Sequence, residues 1–459
     1  MEKITSFFYS KKWIEIIFTF FLITFLLGSK IASVSIGFMT IYPNLILMVI
    51  LGFIGIYHFK GVKSKIEKYF LYFLVFWFLY ALGFYFFVAY KADAKIDIRS
   101  LLLMLITTWN ILWVKSYIGF KNWISSLKIA LTIIFIILVL FSLFEYITGI
   151  HFTGNFTDRL LLVKYFDSIY SPVFLFDNPN NVAVYVIVIS ALLFLIEMRL
   201  KKRISHIILL MFTDLFISIL TFSRFGMFLS VFLIFAYLVL LLPHFFFYLN
   251  KNKRLRIYVV VSILMMVILY IKTPKYYGPI WNKNAKIAEK IDGINTEINT
   301  ENHLSKLEDF ETVNTIKERE SYDSKRVRKA LFFNGLEMLA ESNYIGVGPG
   351  QFRGRHKNNE VIYYTKTNVS PHFWAIEILS QYGMIIFGIY LFFIGWIIVK
   401  SFRVMKSHFF YGSIPLITLF IFAVCSLMPS SFLILDINWI FVAVMIGFIS
   451  KKYSVDEVE

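Results

Sequence analysis

The sequence predicts an all-α integral membrane protein with about twelve transmembrane helices, and composition and hydropathy both support this. Hydrophobic residues make up 58% of the 459 residues and charged residues only 16%, whereas soluble domains carry about half and about a quarter, respectively. The mean hydropathy is +0.71. Apolar runs of spanning length, about 17 to 25 residues, recur along most of the chain. We therefore expect most apolar side chains to face lipid or neighbouring helices in a bilayer.

Twelve apolar runs define the predicted spans. They lie near residues 13–34, 37–59, 69–90, 100–119, 124–148, 179–198, 204–222, 225–249, 257–272, 372–399, 411–428 and 433–450. The second run contains Pro43, and only Pro429, Ser430 and Ser431 separate the last two. Eleven spans are the alternative count.

Positive charge sorts the connections into two classes. Lys and Arg concentrate after the second, fourth, sixth, eighth and tenth predicted spans and near both termini, which the positive-inside rule assigns to the cytoplasm. Eleven spans would instead place the C-terminal Lys451 and Lys452 outside. Topology therefore accounts for the net charge of +17, and we expect anionic lipid headgroups rather than nucleic acid as partners.

One long polar segment, residues 273–371, divides the chain. Long loops translocate largely regardless of charge, so this loop is predicted to be extracytoplasmic and partly helical. It follows nine spans in residues 1–272 and precedes three spans and a short cytoplasmic tail in residues 372–459. Both termini are then cytoplasmic.

The end of the loop carries a glycine-rich sequence, Gly346-Val347-Gly348-Pro349-Gly350. It lacks the Gly-Lys-Ser/Thr ending of a phosphate-binding P-loop, so we do not expect nucleotide binding. A tight turn that closes the loop against the membrane is the prediction.

Two arginines are functional candidates. Arg224 stands between two apolar runs at the outer end of the eighth predicted span, where an arginine is costly without a partner and is a functional candidate by default. The alternative is an arginine that snorkels to lipid phosphate. Arg328 lies in a basic run before a stretch with helical spacing of apolar residues, and the alternative there is a solvated run of charges.

His372 is the candidate for proton transfer. Ser370 and Pro371 predict an N-cap and a first helical position, so His372 is expected in the first turn of the tenth span, at its outer end. The positive end of the helix dipole disfavours imidazolium there. A neutral ring could accept a proton; the alternative is a capping-turn histidine wetted by headgroup water.

Other polar residues could contact substrate or serve the fold. Asn178 and Asn180 open the sixth span, where an Asx turn is favoured and contact with sugar is the alternative. Asp214 and Glu377 are intramembrane acids expected to face the bundle interior. Glu377 and Gln381, four residues apart, share a helical face.

We expect neither a metal ion nor a cofactor. The ligand spacings of zinc sites are absent, and the first outer loop carries no acid. Asp93 and Asp97, placed in the second outer loop, are the only nearby acids.

Four segments, in their order, spacing and sidedness, resemble the O-antigen ligase and O-antigen/capsular polysaccharide polymerase superfamily, the Wzy and WaaL proteins. They are Asn178-Pro-Asn180, Ser223-Arg224-Phe-Gly226, Arg328 followed by Gly346-Val-Gly-Pro-Gly350-Gln-Phe352, and His372-Phe-Trp-Ala-Ile-Glu377 through Gln381 to Gly388. The sequence departs from the family where it has Phe373 in place of asparagine and Phe332 in place of tryptophan.

The resemblance implies a GT-C-like membrane glycosyltransferase that works without a metal ion. It would transfer glycan from undecaprenyl diphosphate to an acceptor hydroxyl outside the cytoplasmic leaflet of a bacterial inner membrane. Arg224 and Arg328 would hold the diphosphate, and His372 would be the general base. Gly348 and Gly350 would be structural or contact substrate. A flippase and a chain-length regulator are candidate partners.

Three functions fit to different degrees. A polymerase of lipid-linked repeat units and a ligase of finished glycan share the chemistry, and an abundance of Ile, Lys, Phe and Asn hints at an AT-rich Gram-positive genome, which favours the polymerase. A transporter or flippase is less well supported, because such folds usually contain internal repeats and we detect none.

Overall fold

The computed structural model describes most of the predicted helices and the end of the long loop. The described residues are 10–27, 34–36, 39–41, 43–57, 62–148, 172, 174–176, 179–200, 204–221, 223, 226–237, 324–365, 369–407, 409–427, 431, 433 and 435–450. Within them, regular structure consists of thirteen α-helices, one 3-10 turn at Phe174–Phe176 and one two-stranded hairpin.

The first five helices lie on predicted spans. They are α1 (Lys11–Leu27), α2 (Pro43–Tyr57), α3 (Lys65–Phe84), α4 (Lys91–Ile118) and α5 (Phe120–Thr148). The second predicted span begins later than expected, because strands β1 (Val34–Ile36) and β2 (Met39–Ile41) pair antiparallel before it. Helix α2 then starts at Pro43, which suits proline at the first helical position.

Helix α4 begins earlier than expected, and this corrects the placement of two acids. Asp93 and Asp97 are not in an outer loop but in the first two turns of α4, and both are buried. Hydropathy located the apolar part of the helix from about residue 100. It could not show that contacts from a distant segment stabilise two polar turns before it.

Eight more helices complete the described fold. They are α6 (Pro179–Arg199), α7 (Ile204–Leu220), α8 (Gly226–Tyr237), α9 (Ser324–Glu341), α10 (Gln351–Lys357), α11 (Trp374–Ser407), α12 (Phe409–Cys425) and α13 (Asp436–Ile449). The ninth predicted span, near residues 257–272, and most of the long loop lie outside the described residues.

The protein is a multi-pass helical membrane protein. Helices α3, α4, α5, α6 and α11 are each long and apolar enough to cross a bilayer. Of the apolar stretch of α6, 89% is buried, against 33% for that of α11. Helix α6 therefore lies inside the bundle, whereas α11 is less completely covered by its neighbours.

Aromatic contacts join helices that are far apart in sequence. Trp77 on α3 meets Tyr382 on α11 edge to face, with ring centroids 5.3 Å apart, and Phe422 stacks on Phe441 at 3.9 Å. Asp214 on the helix Ile204–Leu220 is buried, as predicted, and its carboxylate lies beside Ser230.

The end of the long loop forms a small folded unit, which we call the platform (residues 324–365). It comprises α9, a turn over residues 342–350, α10 and the chain that follows. Its core consists of Val327, Leu331, Met338, Phe352 and, from α11, Ile376. The platform is therefore packed directly against a membrane helix.

Candidate functional site

The platform meets α11 where the helices cross closely. A Cβ atom at Gly335 on α9 would lie 2.2 Å from Cγ2 of Ile376 on α11, so only glycine permits this approach. One turn away, the rings of Phe332 and Phe373 are nearly parallel, with centroids 6.1 Å apart. These contacts fix α9 over the N-terminal end of α11.

Arg328 lies beside this crossing. It is half-buried and precedes Phe332 by four residues on α9, so the two share the face that turns toward α11. Arg328 is therefore half-buried on a packed helix, whereas Arg326 and Lys329 of the same basic run are exposed.

His372 stands on the other side of the same contact, directly before Phe373. We expected it in the first turn of the helix, and this was wrong. The helix begins at Trp374, the N–H of Glu377 donates to the carbonyl of Phe373 at 3.0 Å, and His372 has φ of 51°. A left-handed backbone cannot continue a right-handed helix, so His372 precedes the helix N-terminus and remains close to its positive end.

Arg224 and Asn178 lie outside the described residues. Near Arg224, the Ser223 hydroxyl accepts a hydrogen bond from the Gly226 N–H at 3.1 Å, so Ser223 caps the start of α8. Asn180 lies in the first turn of α6 and is half-buried.

Glu377 and Gln381 face the bundle interior. Both are buried, and the hydroxyl of Ser431 donates to a carboxylate oxygen of Glu377. The side chain of Gln381 lies beside the carboxylate of Asp97 on α4. These contacts give both residues a structural role in holding α11 against its neighbours.

The turn over residues 342–350, which we call the glycine turn, packs against a break in α11. At Gly383 (φ 75°, ψ −178°) the helix is interrupted. The carbonyl of Ser380, which an unbroken helix would pair with the N–H of Met384, instead accepts from Val347 at 2.8 Å. The N–H of Met384 in turn donates to the carbonyl of Tyr344 at 3.0 Å. The turn thus satisfies backbone groups that the break leaves open.

The same turn also reaches α4. Gly350 has φ of 72°, and a Cβ atom there would lie 2.2 Å from the backbone nitrogen of Ala94. A Cβ at Gly348 would lie 2.5 Å from Val88. Gly348 and Gly350 are therefore positions of close packing between the platform and the chain that joins α3 to the N-terminal end of α4.

An ion-pair cluster, which sequence analysis missed, joins α10 to α4. Arg353 donates to Asp97 at 3.0 Å and lies 3.7 Å from Asp93, and Lys357 donates to Asp93 at 2.7 Å. The signal was present in the spacing: the acids are four residues apart, and so are the cations. Four-residue spacing puts each pair on one helical face, but the sequence did not say that these faces meet.

A second polar network, around His356, holds the platform together. Nδ1 of the buried His356 is 2.7 Å from the carbonyl of Phe352, and Nε2 is 3.0 Å from the amide nitrogen of Asn334. Asn334 also exchanges two hydrogen bonds with the backbone of Tyr363. Because Asn334 donates to Nε2, the ring is neutral with its proton on Nδ1, and burial lowers the pKa of His356.

Comparison with known families agrees with the sequence resemblance. Residues 206–391 match the family described as O-antigen ligase. The matched segment contains Arg224, Arg328 and His372, whereas Asn178 and Asn180 precede it. No curated protein matches the chain.

The family match confirms the predicted resemblance and the type of enzyme: an O-antigen ligase or polymerase type of membrane protein, whose substrates are a lipid-linked glycan and an acceptor. Through residues 206–391, this chain is similar to the O-antigen ligase family.

Proposed function

We propose that this protein polymerises repeat units of a cell-surface polysaccharide at the outer face of a bacterial cytoplasmic membrane. It would transfer glycan from an undecaprenyl diphosphate carrier to a hydroxyl of an acceptor glycan. The observation that carries the proposal is the contact between Phe332 and Phe373, because it brings together the segments that bear Arg328 and His372.

The chemistry follows from the two side chains. A guanidinium can hold two phosphate oxygens at once and stabilise the charge that develops on a leaving diphosphate. Arg328 supplies one such group, and Arg224 is proposed as the second. His372 would take the proton of the acceptor hydroxyl. A single displacement by that hydroxyl inverts the anomeric centre, and two arginines would supply the charge that a divalent cation provides elsewhere.

The proposed topology has twelve spans with both termini in the cytoplasm. Residues 1–272 would carry nine spans, residues 273–371 the extracytoplasmic loop, and residues 372–459 the last three. The platform, at the end of that loop, would then cover the outer end of α11. A flippase and a chain-length regulator would supply substrate and limit the product.

Reconstitution with one glycan substrate tests the proposal. Purified protein in liposomes is supplied with lipid-linked repeat units alone, and the products are resolved by size. A ladder of products supports the polymerase. If glycan transfer starts only after a different acceptor is added, such as a lipid A core or a wall polymer, the enzyme is a ligase and the proposal is wrong.

A further inference from the structure

The carboxylate of Asp97 joins three parts of the molecule that are distant in sequence. It lies on α4 and is 1% exposed. It accepts the N–H of Gly350 at 2.9 Å and the guanidinium of Arg353 at 3.0 Å, and it lies beside the side chain of Gln381. One buried side chain thus contacts the glycine turn, α10 and the membrane helix α11.

Two of these contacts involve the segments that follow the candidate residues His372 and Arg328. Gln381 lies nine residues after His372, on the helix that His372 precedes. Gly350 ends the turn that follows α9, the helix that carries Arg328. Asp97 therefore fixes the chain downstream of each candidate residue.

The surroundings of Asp97 leave the acid little freedom to move. Lys357 and Arg353 pair with Asp93, one helical turn before Asp97. The backbone N–H of Tyr90 donates to Gln351 at 3.3 Å, and a Cβ atom at Gly354 would lie 2.2 Å from the Tyr90 ring. The first turns of α4 and the whole of α10 are thus in contact along their length.

We propose that Asp97 is a positioning residue, which holds the platform on the membrane helices so that Arg328 and His372 keep the separation that glycan transfer requires. The inference rests on the proposed function, since it concerns the geometry of that site. Asp97 itself touches neither substrate nor the reacting atoms. Misplacement of reacting groups by about 1 Å can cost roughly a hundredfold in rate, so a loosened platform would reduce turnover strongly.

Asp97→Asn is the informative variant, because asparagine keeps the size of the side chain and an acceptor for Gly350 but removes the charge that pairs with Arg353. In the reconstituted assay we expect kcat to fall about 10- to 100-fold, with the KM for lipid-linked substrate within about twofold of wild type. Arg353→Gln should act in the same way, while Arg353→Lys, which keeps the charge, should recover most of the activity.

A matched control is available on α10, the helix that carries Arg353. Arg355 pairs with Glu341 at 2.5 Å, and this ion pair is exposed, so Arg355→Gln should leave kcat unchanged. Trypsin sensitivity of the platform, measured together with the melting temperature of the whole protein, separates loosening from unfolding. Asp97→Asn should be cut faster at Arg353 to Lys357 without a matching loss of folded protein.

Two results would overturn the positioning role: wild-type kcat in Asp97→Asn, or a fall in activity that only follows the amount of folded protein. Failure of the proposed function looks different. In that case the wild type itself forms no ladder from lipid-linked repeat units, whatever the variants do, whereas a wild-type ladder beside a fully active Asp97→Asn would exclude the positioning role alone.

Discussion

Phe373 follows the candidate base, His372, at a position where many members of the superfamily have asparagine. Its ring lies nearly parallel to that of Phe332, at an interplanar angle of 22°. The side chain beside His372 therefore packs against α9 and offers no polar group to substrate. We infer that here Phe373 contributes to holding α9 in place, and that polar contacts to the acceptor come from elsewhere.

Phe332→Ala should lower transfer activity about tenfold, because loss of an aromatic pair worth roughly 0.5–1.5 kcal/mol frees the face of α9 that carries Arg328. Phe332→Trp, which restores the family residue, should remain active. The control is Phe333→Ala, since Phe333 is 37% exposed on the same helix. Initial rates in the reconstituted assay measure this loss of activity. Equal losses of activity in Phe332→Ala and Phe333→Ala would contradict the role of the Phe332–Phe373 contact.

His356 makes the stability of the platform depend on pH. Burial lowers its pKa in the folded protein below the ordinary value of 6.5, so the unfolded chain binds a proton more readily than the folded one. The stabilisation by the neutral ring is complete above about pH 6.5. It is lost as the pH falls from there through the lowered pKa.

Hydrogen exchange of residues 351–365 measures this effect. Protection in the wild type should weaken as the pH falls below about 6.5, and His356→Gln should be less protected at neutral pH but nearly independent of pH over that range. His408→Gln serves as the control and should keep the wild-type profile. A flat profile in the wild type would count against the neutral, buried state of His356.

Among the elements, α11 and the glycine turn are joined by backbone hydrogen bonds and close packing. Gly383 lies nine residues after Trp374, roughly 14 Å along the helix axis, so the turn contacts the apolar part of α11 and not only its outer end. Tyr344 and Ile345 of the turn are 58% and 49% exposed. The end of the long loop thus presents exposed apolar side chains beside α11.

Gly383→Ala tests this docking. Its backbone conformation is one that essentially only glycine adopts, and a Cβ atom would lie 2.1 Å from the carbonyl oxygen of Ile345. We expect a loss of about 1–3 kcal/mol in the free energy of unfolding, seen as a lower melting temperature. Gly388→Ala, on the same helix with open space around it, should be neutral, and similar effects at both positions would contradict the role of the turn.

The sequence predicted an element well where the apolar pattern of that segment alone was enough to locate a helix. Each predicted span within the described residues contains a helix, and α9 appears where helical spacing follows Arg328. It was less informative where two distant segments stabilise each other. The first turns of α4 are polar, and their pairing with α10 depends on contacts across more than 250 residues, which no local pattern reveals.

For the whole molecule, the sidedness of the platform is the property on which the proposed reaction depends. The native Cys425 is buried, so single introduced cysteines can report exposure with little background. Ile362→Cys, at a position 65% exposed on the platform, should react with a membrane-impermeant maleimide on intact cells. Ser407→Cys, at the end of α11, should react only after permeabilisation. The reverse pattern would invert the proposed topology.

The candidate residues were selected from the sequence. How the segments that carry them pack together could not be predicted from it. Arg328 and His372 were selected by charge, by position along the predicted topology and by family resemblance. The contact between the segments that carry them depends on Phe332, Gly335 and Ile376, residues that look like ordinary helix packing in the sequence. The acids that hold the platform were noticed only as possible metal ligands.

The central claim is that Arg328 and His372 act together in glycan transfer. The most direct test is polymer formation by purified protein in liposomes that contain lipid-linked repeat units, for the wild type and for Arg328→Ala, His372→Ala and Arg326→Ala. Arg326 is exposed and lies on the same helix as Arg328, so its variant is the control. We predict polymer from the wild type and from Arg326→Ala, and none from Arg328→Ala or His372→Ala although both insert and fold. Wild-type amounts of polymer from either of these two variants would contradict the account.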